Sequence, residues 1–63
     1  MTTFTAAELA KEAEREAKYR RWVYPRLVSD GRMSAAEAER RISMMETIAG
    51  KLRKEEEEKE RLL

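Results

Sequence analysis

Apolar side chains recur at helical spacing in two segments of this chain. From Ala6 to Val28 they return every three or four positions, and the early ones are mostly alanine. From Ala38 to Leu52 they are larger, and Met44 widens the stripe. At 100° per residue, each set gathers on one side of an α-helix. The pattern therefore predicts an all-α protein with two amphipathic helices.

The two predicted apolar faces differ in size. The first comprises Ala6, Leu9, Ala10, Ala13, Ala17, Tyr24, Leu27 and Val28, with Arg20 inside the stripe. The second comprises Ala38, Ile42, Met45, Ile48, Ala49 and Leu52. Trp22 falls almost opposite the first face.

The segment from Tyr24 to Ser34 carries the strongest signals for a bend. Gly31 can adopt the left-handed conformation that ends a helix. Ser34 and Glu37 can form a capping box that starts the next helix, and Thr5 and Glu8 can form another at the first helix. These signals predict a first helix over about residues 6–28, a turn over 29–34 and a second helix over 35–61. Residues 1–4 are predicted to be a frayed lead.

Pro25 lies inside the first predicted helix. It lacks the backbone N–H that would bond the Arg21 carbonyl, and its ring crowds that carbonyl. We therefore expect either a helix that ends near Tyr24 or a kinked helix that continues to Val28.

A short connection makes the two helices antiparallel neighbours. Below about 70 residues, one core rarely supplies more than about 3–5 kcal/mol of stability. The chain has 63 residues and no cysteine to form a disulfide. We therefore expect the hairpin, a single domain over residues 1–63, to dimerise into a four-helix bundle.

The composition argues against several chemistries. The chain has no cysteine and no histidine, which removes thiolate catalysis and the usual zinc ligands. The glutamates have no histidine or apolar cleft to tune them for acid–base work. We expect no enzymatic activity, no cofactor and no metal. No membrane span or signal peptide is visible, which is compatible with a cytoplasmic protein.

Charge is unevenly distributed although the formal net charge is only +1. Residues 18–41 contain seven basic and three acidic side chains, a net charge of +4. Residues 1–17 contain two basic and four acidic side chains, a net charge of −2. The bend is therefore predicted to be basic.

The basic bend also carries aromatic residues, and three interpretations of it follow. The favoured partner-binding set is Arg20, Arg21, Trp22, Arg26 and Arg32, which would contact a protein of the host or of a phage. Alternatively, arginines and rings could bind nucleic acid through phosphates and base stacking. In the third interpretation the arginines are solvated and Trp22 packs within the hairpin or the dimer. Ordinary helix ion pairs are expected for Glu16–Arg20, Glu14–Lys18 and Glu37–Arg41.

The segment Arg21 to Ile48 has the pattern R-x-V-Y-P-R-x-V-x-x-G-R-M-S-x-x-x-A-x-x-x-I-x-x-M-x-x-I. This pattern resembles a group of small hypothetical proteins encoded by phages and prophages of proteobacteria. The resemblance covers a little under half of the chain and brings no activity to particular residues. It implies a phage accessory protein in the bacterial cytoplasm. Such proteins often bind a host or defence protein, as anti-CRISPR proteins do.

Overall fold

The computed structural model describes residues 3–61 as two helices joined by a short turn. Helix α1 spans Ala6–Ser29 and helix α2 spans Ala35–Arg61, and the two pack against each other as a hairpin. The predicted all-α hairpin is confirmed. The first two residues of the predicted lead, and residues 62 and 63, lie outside the described residues.

The start of α1 has the predicted capping box. The Thr5 hydroxyl accepts a hydrogen bond from the Glu8 backbone N–H at 3.1 Å, and the Thr5 N–H donates to the Glu8 carboxylate at 3.3 Å. At α2, Ser34 accepts from the Glu37 N–H at 3.0 Å. The Glu37 carboxylate turns instead to Arg41, at 2.8 Å. The second predicted box is therefore only half formed.

Gly31 ends α1 in the predicted way. Its φ angle is +74°. The Gly31 N–H donates to the Val28 carbonyl at 3.1 Å, and the Arg32 N–H donates to the Leu27 carbonyl at 2.9 Å. This pair of bonds is a Schellman motif, which satisfies the last carbonyls of the helix.

Pro25 does not end the helix. The α-helical conformation continues through it to Ser29. Of the two alternatives, the longer helix is observed, and it extends one residue beyond Val28. Tyr24 and Val28 flank Pro25 and are both half-buried beside α2, where they line a groove with Ala38. This tertiary contact holds the last turns of α1 in place.

The interface between the helices is made mainly of alanine. The buried side chains are Ala6, Ala10, Ala13 and Ala17 on α1 and Ala38, Ile42 and Ala49 on α2. Small side chains let helix backbones approach closely, but each removes little apolar area from water. Leu9 and Ile48 were predicted for the buried faces, yet they remain 43% and 46% exposed. Two helices cover these flanking positions only in part.

The hairpin is elongated and exposes a large surface. Its principal extents are 49 × 24 × 16 Å. Its accessible surface is 5402 Å², whereas a compact monomer of this length would expose about 4200 Å². The hairpin therefore exposes more surface than a compact fold of the same length would.

Alanine substitutions at the two glycines should change the stability of the fold in opposite directions. A Cβ atom added at either position would meet nothing within 4 Å, so only backbone conformation differs between the sites. Gly50→Ala lies inside α2 and should stabilise the fold by about 0.5–1 kcal/mol. Gly31→Ala forces a side chain into the left-handed region and should destabilise it by about 1–2 kcal/mol.

Urea unfolding followed by circular dichroism, at one fixed protein concentration, measures both changes. A destabilising Gly50→Ala, or a neutral Gly31→Ala, would contradict the helix boundaries described above.

Candidate partner-binding surface

The side of α1 that faces away from α2 carries aromatic and basic residues. We call this set the α1 outer surface: Arg15, Lys18, Tyr19, Trp22 and Arg26. The helical period places all five on the side opposite the buried alanines. Trp22 is 65% exposed and Tyr19 is 56% exposed. Trp22 is thus not packed within the hairpin, which removes that part of the third interpretation.

Arg26 covers the ring of Trp22. Its guanidinium carbon lies 4.8 Å from the ring centroid, one helical turn further along α1. A guanidinium at this distance is attracted to the face of the indole ring. The contact holds the two side chains together before any partner arrives, so less side-chain freedom is lost on binding.

Arg20 lies elsewhere and has a different role. Its Nη1 donates to the Arg41 carbonyl at 3.0 Å, and its Nε donates to Glu16 at 3.1 Å. Its guanidinium also lies 5.9 Å from the Tyr24 ring centroid. The predicted Glu16–Arg20 pair is present, but Arg20 joins the two helices on one flank of the hairpin.

Arg21 joins the helices on the opposite flank. Its Nε and Nη2 donate to the two carboxylate oxygens of Glu46 at 2.8 and 2.9 Å. Arg32 lies in the turn and is exposed. Of the five residues predicted to bind a partner, Trp22 and Arg26 therefore share one surface, and Arg32 lies beyond the end of that surface. Arg20 and Arg21 instead make contacts between the two helices.

Glu14 shows an interaction that local spacing did not predict. Its carboxylate accepts from Nη2 and Nε of Arg53 at 2.7 and 2.9 Å, instead of pairing with Lys18. Arg53 also donates to Glu56 at 2.9 Å. Glu14 and Arg21 are seven residues apart on α1, as are Glu46 and Arg53 on α2. The two bidentate pairs therefore form a ladder, which we call the ion-paired flank.

The ladder shifts the acidity of its members. Hydrogen bonds from Arg53 lower the pKa of Glu14, and hydrogen bonds from Arg21 lower the pKa of Glu46. The partner carboxylates raise the pKa values of Arg21 and Arg53. Both glutamates are accessible to solvent, so screening keeps each contribution small, and the main effect of the ladder is to fix the alignment of the helices.

A second exposed patch is apolar and lies on α2. Met44 is 50% exposed and Ile48 is 46% exposed, and they line a shallow groove together with Arg40, Ser43 and Thr47. The groove is open on the outside of the hairpin. The larger apolar residues of α2 are therefore only partly covered by α1.

The described residues present little for other chemistries. Among residues 3–61, no three acidic side chains are grouped so that they could hold a metal ion. Neither described helix combines the length and the apolar character that crossing a bilayer requires. No known protein family, no curated protein and no solved structure matches this chain.

The ion-paired flank makes the free energy of unfolding depend on pH in the acid range. A folded-state pKa below the unfolded value means that the unfolded chain binds more protons. The contribution of Glu14 and Glu46 is therefore complete above their ordinary pKa of about 4.3 and is lost as pH falls through the lower folded values. Urea unfolding between neutral pH and pH 2 should show this loss.

The double variant Glu14→Gln, Glu46→Gln should lose less stability over the same acid range. The matched control is Glu57→Gln, Glu58→Gln, which makes the same charge change on the exposed end of α2. If the wild type and the Glu14, Glu46 variant lose the same free energy of unfolding as the pH falls, the ladder does not contribute to the acid dependence.

Proposed function

We propose that this chain is a small, non-enzymatic interaction protein that binds a protein partner through the α1 outer surface. The observation that carries the proposal is Trp22, which is 65% exposed and covered on one face by Arg26. A buried tryptophan removes about 150–250 Å² from water. Tryptophan and arginine are also the side chains most often found at the energetic centre of protein interfaces.

The basic side chains around Trp22 favour an acidic partner surface. Lys18 and Arg26 flank the ring along the helix. Arg15 lies one turn further from Lys18 and approaches Glu12 only at 3.9 Å, so its charge remains largely available. Arg32 extends the basic character to the turn. A partner with acidic groups around an apolar pocket would match this distribution.

Nucleic acid is the second candidate, and the stacked Trp22–Arg26 pair is the observation that favours it. A ring with flanking cations can stack on a base and contact phosphates. The structure weakens this candidate, because Arg20 and Arg21 are paired with the carboxylates of Glu16 and Glu46. Fewer free cations remain for the phosphate contacts that dominate affinity for nucleic acid.

We further propose that the protein acts as a homodimer and as a phage-type accessory protein in the bacterial cytoplasm. The resemblance of the segment from Arg21 to Ile48 supports the setting. The surface of 5402 Å² and the exposed Met44 and Ile48 support the dimer. In this role the protein would inhibit or modulate a host or defence complex.

Single substitutions on the α1 outer surface test the proposal. Trp22→Ala and Arg26→Glu should each abolish capture of the partner from host lysate. The first removes the apolar anchor, and the second reverses the positive charge that lies over its ring. Lys54→Glu is the matched control, since it reverses an exposed basic side chain on α2 and should retain capture. Circular dichroism should show unchanged helix content in all three variants.

The single tryptophan gives a direct second readout. Trp22 emission should shift to shorter wavelength and become protected from quenchers when the partner binds. Retention of every captured protein by Trp22→Ala would contradict the proposal. Binding to single-stranded DNA that weakens steeply with salt, and that Trp22→Ala abolishes, would establish the nucleic-acid alternative.

A further inference from the structure

One side of α2 carries a strip of side chains whose spacing is symmetric about Ile48 and whose charges are opposite at symmetric positions. We call it the α2 lateral strip, and it consists of Glu37, Arg41, Met44, Ile48, Leu52, Glu55 and Lys59. At 100° per residue these positions fall within an arc of about 80°. From Ile48 outward in either direction, the strip has one apolar residue and then two of opposite charge. The strip is about 33 Å long at 1.5 Å per residue.

The strip is distinct from the contact with α1. Its centre lies about 100° around α2 from the buried Ala38, Ile42 and Ala49. Six of its members are exposed, and Leu52 is half-buried. It also lies on the flank opposite the ion-paired flank, because Glu46 and Arg53 are rotated to the other side of the buried alanines. A helix packed on the strip would run alongside α2. The direction from α2 to that helix would be nearly perpendicular to the direction from α2 to α1, as in the square cross-section of a four-helix bundle.

We propose that a second copy of this chain covers the α2 lateral strip, in an antiparallel α2–α2 contact with the two-fold axis at Ile48. Ile48 then faces Ile48 of the partner subunit, and Met44 faces the partner's Leu52. At the ends, Arg41 faces the partner's Glu55, and Glu37 faces the partner's Lys59. Every residue of the strip meets a residue of matching chemistry, as a two-fold interface requires.

Charge selects this register over its neighbours. If the partner slides by one helical turn in one direction, Arg41 faces the partner's Lys51 and Glu37 faces the partner's Glu55. In the other direction, Arg41 faces the partner's Lys59. Both displaced registers bring like charges together, and the two-fold axis repeats each repulsion. Glu37 and Arg41 already pair within one chain at 2.8 Å, so the ends of the interface become four-residue networks.

This arrangement rests on the dimer proposed above and leaves the α1 outer surface free. Trp22 lies about 140° around α1 from the flank that carries Leu9 and Leu27, which is the flank turned toward the second copy. The dimer would therefore present two copies of the Trp22–Arg26 pair on its outside. A partner could then engage both copies at once, which raises the overall affinity when its own sites match their separation.

Disulfide trapping tests the register directly, because the chain contains no cysteine. Ile48→Cys should form a covalent dimer in most of the protein under mild oxidation. Met44→Cys alone should not, whereas Met44→Cys, Leu52→Cys should cross-link efficiently. Thr47→Cys is the control, because Thr47 is exposed next to Ile48 but lies outside the strip.

Charge reversal provides a second measurement. Arg41→Glu should weaken dimerisation by roughly 10- to 30-fold, since two attractive pairs become repulsive in each dimer. Adding Glu55→Arg should restore most of the affinity. Helix content by circular dichroism confirms that each variant remains folded.

The outcomes separate the two proposals. Light scattering of the wild type at micromolar concentration should give twice the chain mass, and a monomer would overturn both the dimer and this interface. A wild-type dimer in which Thr47→Cys cross-links and Ile48→Cys does not would overturn the interface alone. Failure of Glu55→Arg to rescue Arg41→Glu would likewise overturn the register.

Discussion

The close contact between the alanine faces of the two helices governs the rest of this structure. Ala10, Ala13 and Ala17 allow α2 to approach closely, and Ile42 is the one larger side chain in the buried set of the described residues. The seam buries little apolar area, so it aligns the helices without providing much stability. The polar contacts on its two flanks, from Arg21 to Glu46 and from Arg20 to the Arg41 carbonyl, fix the register.

A thin seam leaves the remaining surfaces available for other contacts. The outer side of α1 carries the Trp22–Arg26 pair, and one side of α2 carries Met44 and Ile48. These two surfaces point in different directions, so a second copy of the chain and a partner need not compete. The large apolar side chains that stay exposed in one hairpin are the ones that the proposed functions use.

The sequence contained enough local information to predict the helices and the turn. Gly31 and the two capping serine and threonine residues act within four positions of themselves, which is why their effects are readable from spacing. Helical periodicity also placed Trp22 opposite the first apolar face, but it left open whether the ring packs within the hairpin or the dimer. The outcome at Pro25 depended on tertiary contact, since half-burial of Tyr24 and Val28 holds the helix beyond the proline.

The roles of the arginines could not be assigned from local spacing. Arg20 and Arg21 were grouped with Trp22 because they are adjacent in sequence, but consecutive helical residues point in directions 100° apart. Their partners, Arg41 and Glu46, lie 21 and 25 positions away. Glu14 and Arg53 are 39 positions apart. The one available signal was the spacing of seven residues along each helix, from Glu14 to Arg21 and from Glu46 to Arg53. This spacing has meaning only once the antiparallel alignment is known.

The central claim is that a single hairpin buries too little to be stable and that a second copy completes it. Thermal unfolding over a hundredfold range of protein concentration tests this claim most directly, because unfolding of a dimer into two chains is governed by mass action. The account predicts a single cooperative transition whose midpoint temperature rises steadily with concentration. A cooperative transition with the same midpoint at every concentration would show that the hairpin is stable alone and would contradict the claim.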